Sequence, residues 1–290
     1  MTRTIEKLDD ISAGFDVVLC DLWGCVHDGV NAFPDAVAAL TRFRERGGVV
    51  LLLTNSPRSA TGVEAQLERL GVPCESWDAI VSSGDASRRA MFSGAVGKKV
   101  WFVGGPADRA FFDPPSEGAG MVAVQPVELR EAEGIVCCGP FTLDSTPDDL
   151  KEDLAWAAAR NIPFLCANPD ISVDRGGRRE YCAGAFAQEY LALGGESLFF
   201  GKPHAPIYEL SENVLAQFQP SIATERILAI GDGLQTDILG AVRYRIASLF
   251  VTGGLAAKET GTTHQPDPTM LDAFLHATDI NPDFCIGHLR

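Results

Sequence analysis

The chain has 290 residues, of which 46% are apolar and 22% charged. That composition supplies a substantial core and excludes wholesale disorder, and the length fits one or two domains. With 24 Lys and Arg against 39 Asp and Glu, the net charge is −15 and no basic tract exists. Binding to nucleic-acid backbones or to anionic membranes is therefore not expected. The N-terminal MTRTIEKLDD lacks an apolar signal region, and no run approaches the ~18 apolar residues of a membrane span. Eight cysteines are scattered without a C-x-x-C or zinc spacing. Reduced thiols and a cytoplasmic location are the expectation.

Short apolar runs alternate with helical patterns along the chain. The run 17–20 ends on Asp21. A helix is expected after Pro34, with Val37, Leu40 and Phe43 on one face and Gly47-Gly48 at its end. Residues 49–53 form a continuous apolar run of the kind a buried parallel strand needs, and they lead into Thr54 and Asn55. A second helix is expected over 60–70, a short strand over 79–81, and a third helix over 83–92. Residues 99–103 and 134–138 read as strands, with 104–120 as a Gly- and Pro-rich connection.

Farther on, Ser145-Thr-Pro-Asp-Asp149 marks a helix start: a hydroxyl, an early Pro, then acids in the first turn. Residues 162–166 are strand-like and lead to Asn168-Pro169-Asp170. A run at 198–200 precedes Gly201-Lys202-Pro203. A helix then carries Ile207, Leu210, Val214 and Phe218 on one face. Residues 227–230 run into Gly231-Asp232-Gly233, and Asp237 follows. A helix, a strand over 247–251 and an amphipathic segment over 270–276 complete the pattern.

This alternation predicts an α/β fold built on a doubly wound, Rossmann-like parallel sheet. In such sheets ligands sit beyond the carboxyl ends of the strands. Asp21, Thr54, Asn55, Lys202, Asp232 and Asp237 should therefore converge. Taken singly, each is ambiguous. A carboxylate at Asp21 suits a nucleophile, a metal ligand or a turn. Thr54 and Asn55 can bind phosphate oxygens or cap the next helix. Lys202 can place a point charge on a phosphate. Asp232 and Asp237 offer the hard oxygens that Mg²⁺ prefers, or simply decorate a helix N-terminus.

As a set, in this order, the residues resemble the four motifs of the haloacid dehalogenase-like hydrolase superfamily. Only 33 residues separate Asp21 from Thr54, whereas 148 separate Thr54 from Lys202. Together with His27-Asp28-Gly29, Thr54-Asn55-Ser56, Asn168-Pro169-Asp170 and Gly201-Lys202-Pro203, that spacing resembles subfamily IIA, the NagD-like phosphatases. The resemblance implies a catalytic core over 1–82 and 196–290 and an inserted, smaller α/β cap over 83–195. It implies a Mg²⁺-dependent phosphatase of a small phosphorylated metabolite, such as a sugar phosphate or nucleotide. Asp21 would be the nucleophile that becomes an aspartyl phosphate. Thr54 and Lys202 would bind the phosphoryl group, with Asn55 as a further oxygen contact. Asp21, Asp232 and the backbone carbonyl of Trp23 would hold Mg²⁺, with Asp237 supporting the metal or orienting Lys202. Asn168 and Asp170 are the candidates for substrate contacts from the cap.

One position departs from the family pattern. The usual first motif is Asp-x-Asp, whose second Asp protonates the leaving group; here that residue is Trp23. Such acid–base groups are worth about 10²–10⁴-fold. Three readings follow. On the first, the chain acts on substrates whose leaving group needs little protonation, or uses His27 or Asp28 as the donor, although a turn or cap contact is the favoured reading of His27. On the second, it runs another reaction of the superfamily. On the third, it is a weak or inactive binder of phosphate ligands on the same fold. Arg175, Arg178 and Arg179, around Gly176-Gly177, follow Asn168-Pro169-Asp170 and read either as contacts from the cap to an anionic substrate or, the favoured reading, as a solvated loop. An exposed cap face could support a homodimer.

Overall fold

The computed structural model describes residues 2–114, 121–175 and 178–290. The first stretch contains β1 (Arg3–Thr4), β2 (Val17–Cys20), α1 (Pro34–Glu45), β3 (Val49–Thr54), α2 (Ala60–Arg69), β4 (Ala79–Ser82) and α3 (Ser83–Phe92). The middle holds β5 (Lys99–Val103), β6 (Gln125–Pro126), β7 (Gly134–Cys137), α4 (Lys151–Ala158), β8 (Phe164–Cys166), β9 (Ser172–Arg175), β10 (Arg178–Tyr181), α5 (Ala183–Ala192) and β11 (Ser197–Phe199). The last stretch has α6 (Ala205–Leu215), β12 (Ile227–Gly231), α7 (Leu239–Tyr244), β13 (Ala247–Val251), α8 (Pro268–Thr278) and β14 (Phe284–Ile286).

Seven strands from the two ends of the chain form one sheet in the order β1-β14-β13-β12-β2-β3-β4. Every pairing in it is parallel. Its strands are apolar at nearly every position because both faces are covered. Val18, Cys20, Val50, Leu52, Leu228 and Ile230 pack on one face. Val17, Leu19, Leu51, Leu53, Ile227 and Ala229 pack on the other. The chain winds outward from β2 in two directions, through β3 and β4 on one side and β12, β13 and β14 on the other. The order reverses between β2 and β12, so the crevice that favours ligands opens there.

The middle stretch builds a second, five-stranded parallel sheet, β11-β8-β7-β5-β6. It too is buried on both faces, with Trp101, Ile135 and Phe164 on one side and Phe102, Val136 and Leu165 on the other. The chain passes between the sheets through α3. Ala86 packs with the large sheet, whereas Met91 and Phe92 pack with the small one. The helix is capped by Ser82, whose Oγ accepts the Asp85 N–H at 3.0 Å.

The doubly wound α/β expectation matches this architecture, but several details differ. Strand β11 pairs with β8 in the smaller sheet. The return crossing therefore lies beyond Phe199 rather than at 195. The helix start near Ser145 is capped by Thr146: its N–H donates to Asp149 Oδ2 at 2.7 Å, and one 3-10 turn precedes α4. The edge strands β1 and β14 are too short to leave a pattern. Helix α5 was not expected because Ala183, Gly184, Ala185, Phe186, Ala187 and Tyr190 bury nearly all of its surface, which erases amphipathic spacing. Arg175, Arg178 and Arg179, favoured as loop, instead lie on strands: Ser172–Arg175 and Arg178–Tyr181 pair antiparallel as β9 and β10. Part of the expected irregular stretch, 106–112, is a 3-10 helix; residues 115–120 of it lie outside the described residues. None of the described helices is long and apolar enough to cross a membrane.

Candidate active site

Asp21 follows β2 directly, and its N–H donates to the Ile230 carbonyl of β12 at 2.8 Å. Asp232 follows β12, so the two carboxylates flank the switch point. Lys202 enters from the loop between β11 and α6. Its Nζ donates to Asp21 Oδ1 at 2.6 Å, Asp237 Oδ1 at 2.6 Å and the Leu53 carbonyl at 2.8 Å. These three acceptors use all three ammonium protons. Asn55 grips the backbone of Lys202 from both sides. Its Oδ1 accepts the Lys202 N–H at 2.7 Å, and its Nδ2 donates to the Lys202 carbonyl at 3.1 Å. The same Nδ2 donates to Asp170 Oδ1 at 2.8 Å.

Lys202 is 2% exposed, so its charge is deeply withdrawn from water. Burial pulls its ammonium down, but Asp21, Asp237 and Asp170 outweigh that and hold it well above its ordinary value. It stays cationic. Burial raises the Asp237 carboxyl to about 6, against the opposing pull of Lys202. Burial also raises Asp21, again partly offset by Lys202.

Asp232 is the least compensated member. Burial, then the charges of Asp21 and Asp237, push its carboxyl well above the usual range. Oδ2 accepts the Leu255 N–H at 2.9 Å. Ligating atoms of Asp21, Asp232 and Cys25 all lie within 4.8 Å of one another. Burial drives the Cys25 thiol far upward, so it stays a neutral thiol and the effective donors are carboxylate oxygens. Hard oxygens, gathered with like charge in a buried place, fit a Mg²⁺-type cation. Gly24 allows the close approach: at φ +76°, an added Cβ would sit 2.1 Å from Asp232 Oδ2. Asp237 stands apart from that cluster. Its Oδ1 meets Lys202, and its Oδ2 accepts the Gly233 N–H at 3.1 Å.

Beside these groups opens a cavity of about 380 Å³ between the two sheets. Asp21, Trp23, His27 and Thr54 line it from the large-sheet side, and Asn168 and Asp170 from the other. Thr54 Oγ1 accepts the Ser56 N–H at 3.2 Å. Asn168 Oδ1 accepts the Asp170 N–H at 3.0 Å. Trp23 reaches across the seam: its Nε1–H donates to the Asp174 carbonyl at 2.8 Å. The Arg175 guanidinium lies 5.0 Å over its ring. Gly29, at φ +83°, leaves room for the indole, because a Cβ there would meet Trp23 Cζ2 at 2.4 Å. The His27 ring stands edge-on to Trp23, with centroids 5.2 Å apart. Its Nδ1 accepts the Gly29 N–H at 3.0 Å, and burial lowers its pKa to about 4. It is therefore neutral near pH 7, with its proton on Nε2.

The sequence profile of the haloacid dehalogenase-like hydrolase family matches residues 18–114, and a second HAD-like hydrolase profile matches 199–277. A crystal structure of a hydrolase of the haloacid dehalogenase-like family from Brucella suis 1330 is 38% identical. The alignment covers 99% of this chain and 100% of that one, with a TM-score of 0.86. The chain belongs to the haloacid dehalogenase-like hydrolase family. Within it, the chain groups with the NagD-like subfamily IIA. Ribonucleotide monophosphatase NagD from Escherichia coli K12 is 26% identical over 83% of this chain and 88% of its own length. D-glycerol 3-phosphate phosphatase from Mycobacterium tuberculosis is 27% identical over 86% of this chain and 66% of its own.

In this haloacid dehalogenase-like hydrolase, Asp21, Lys202, Asp232 and Asp237 converge, and Thr54, His27, Asn168 and Asp170 line the adjoining cavity. Asn55 differs from expectation, whereas Asp237 and His27 each make a contact that the sequence reading allowed. Asn55 spends its amide on Lys202 and Asp170, so it serves as a clamp with no free oxygen contact. Asp237 is Lys202's partner rather than a member of the carboxylate–thiol cluster. His27 makes a turn contact and is held neutral, which leaves it a poor acid. Sequence reasoning passed over Cys25 and Arg58, and for Arg175 it favoured a solvated loop over a substrate contact. For Arg175 a signal existed: Gly176-Gly177 between two polar–apolar segments is a hairpin signature.

Proposed function

We propose that the chain is a Mg²⁺-dependent phosphatase of a small phosphorylated metabolite, working through an aspartyl phosphate on Asp21. The observation that carries this reading is the buried Asp21–Lys202–Asp237 chain at the sheet's switch point, opening on one cavity. On this reading the large sheet is the catalytic core. The segment from α3 to β11 is a cap that closes over the substrate.

An Asp21 carboxylate oxygen attacks phosphorus, the ester oxygen leaves with its electron pair, and water later releases orthophosphate from Asp21. Lys202 stays protonated, orients the Asp21 carboxylate and offsets charge on the phosphoryl oxygens. Thr54 offers a hydroxyl at the cavity wall. Asp237 and Asn55 hold Lys202 in place. Asp21, Asp232 and the Trp23 carbonyl would hold the cation. When bound, it offsets the repulsion between carboxylate and phosphate. With Trp23 in place of an acid and His27 neutral, the leaving group departs without a strong proton donor. Substrates with acidic leaving groups are favoured accordingly.

Phosphate release from aryl, acyl and alkyl phosphates, with Mg²⁺ or with EDTA, tests this. Turnover should need the cation, rise as leaving-group pKa falls, and drop by at least about 10³-fold in Asp21→Asn. Saturable binding without turnover of any phosphoester would sink the proposal in favour of a ligand-binding protein.

A further inference from the structure

Two arginines face the cavity, and the phosphoryl chemistry uses neither. Arg58 lies between β3 and α2, is largely withdrawn from water, and lines the cavity wall. Its Nη1 donates to Gln66 Oε1 at 3.2 Å. Among the described residues no carboxylate comes within 4.0 Å of it. Burial, helped by the smaller repulsion of Arg175 and Arg69, holds the Arg58 guanidinium below its usual range against the opposing charge of Asp108. A cation largely kept from water with no carboxylate in direct contact is costly, and that cost favours an incoming anion.

Arg175 arrives from the opposite wall, on β9. Its Nε donates to Glu180 Oε2 at 3.0 Å, while its terminal nitrogens make no hydrogen bond among the described residues. Trp23 supports the guanidinium from below at 5.0 Å, and the Trp23–Asp174 hydrogen bond fixes the strand that carries it. The guanidinium is thus aimed before any ligand arrives. The acids of the same cavity are otherwise engaged. Asp21 binds Lys202, Asp170 binds Asn55, Glu180 binds Arg175, and Asp108 Oδ2 accepts the Gly105 N–H at 2.9 Å.

We propose that the cavity binds a second anionic group of the substrate, a carboxylate or a second phosphate, between Arg58 and Arg175. This rests on the phosphatase reading of the same cavity and narrows its substrate class. The planar forks of two guanidiniums suit paired anionic oxygens on a leaving group. The hydrolysed phosphate lies at Asp21, and the second anion stays on the leaving group.

The test compares 4-carboxyphenyl phosphate with 4-carbamoylphenyl phosphate, which has nearly the same shape and no carboxylate charge. Full-length protein with Mg²⁺ should prefer the carboxylate by at least about tenfold in kcat/KM, equivalent to about 1.4 kcal/mol. Arg58→Gln and Arg175→Gln should each bring the ratio toward one, and Arg175→Lys should retain part of it. 1,4-Phenylene bisphosphate in place of the carboxylate tells whether phosphate or carboxylate fits better. Calorimetry of the same pair on Asp21→Asn protein reads the seat without turnover. Equal affinity for the two compounds overturns the inference, even where the phosphatase reading stands. A preference in binding without hydrolysis supports the seat and sinks the phosphatase reading. If Asp108→Asn removes the preference as Arg58→Gln does, Arg58 serves a contact with Asp108 and the anion seat is overturned.

Discussion

The Lys202 centre and the Trp23 seam hold their charges by opposite means. Lys202 and its partners Asp21 and Asp237 are almost wholly buried, and every ammonium proton has an acceptor. At the seam, Arg175 is 39% exposed in its side chain, pairs with one carboxylate and leans on an aromatic face. The first arrangement fixes a charge in one geometry. The second tethers two sheets while leaving donor groups available. Chemistry at phosphorus needs the former, because a buried network costs no reorganisation when charge develops. Recognition of varied leaving groups is served by the latter.

Removing Lys202 should break this contrast most severely. Lys202→Ala strands Asp21 and Asp237 without a cation, and stability should fall by about 3–5 kcal/mol. Urea denaturation in EDTA measures it; a loss below about 1 kcal/mol would mean that desolvation cancels the network's attraction. A smaller effect is expected at His27, beneath the seam. Burial holds its folded pKa at about 4, below the ordinary 6.5 of a histidine. Stability is therefore complete above pH 6.5 and is lost as pH falls toward 4, because the unfolded chain takes up the proton first. Relative to His27→Gln, the native chain should lose about 3 kcal/mol across that window. Parallel curves for the two proteins would remove His27 as the cause.

The smallest effect belongs to the seam itself. Trp23→Phe keeps an aromatic face under Arg175 but deletes the N–H that donates to Asp174. The change should cost about 1 kcal/mol. Kinetically, KM should rise while kcat changes little, since the seam positions the recognising residue rather than the nucleophile. An equal fall in kcat with KM unchanged would place Trp23 at the reacting atoms instead.

Much of the fold was legible because its signals are local. Residues 17–20, 49–53 and 227–230 are uninterrupted apolar runs, and each ends on a polar residue within one or two positions. That pattern follows from strands buried on both faces with ligand-facing tips. The hairpin and α5 were missed for the converse reason. The hairpin is half exposed and carries alternating charge, while α5 is buried all round.

By itself, then, the sequence determined the doubly wound sheet, the order of the motif residues and the presence of Trp23 two residues after Asp21. All of these rest on runs and spacings within a few residues. Tertiary structure decided what those residues touch. Asn55 meets Lys202 across 147 positions, Trp23 meets Asp174 across 151, and Asp21 meets Lys202 across 181. Such partners are chosen by the crossover that brings two strand ends together, and no local periodicity records it. The same crossover turns two arginines that look like ordinary surface charges into facing walls of one cavity.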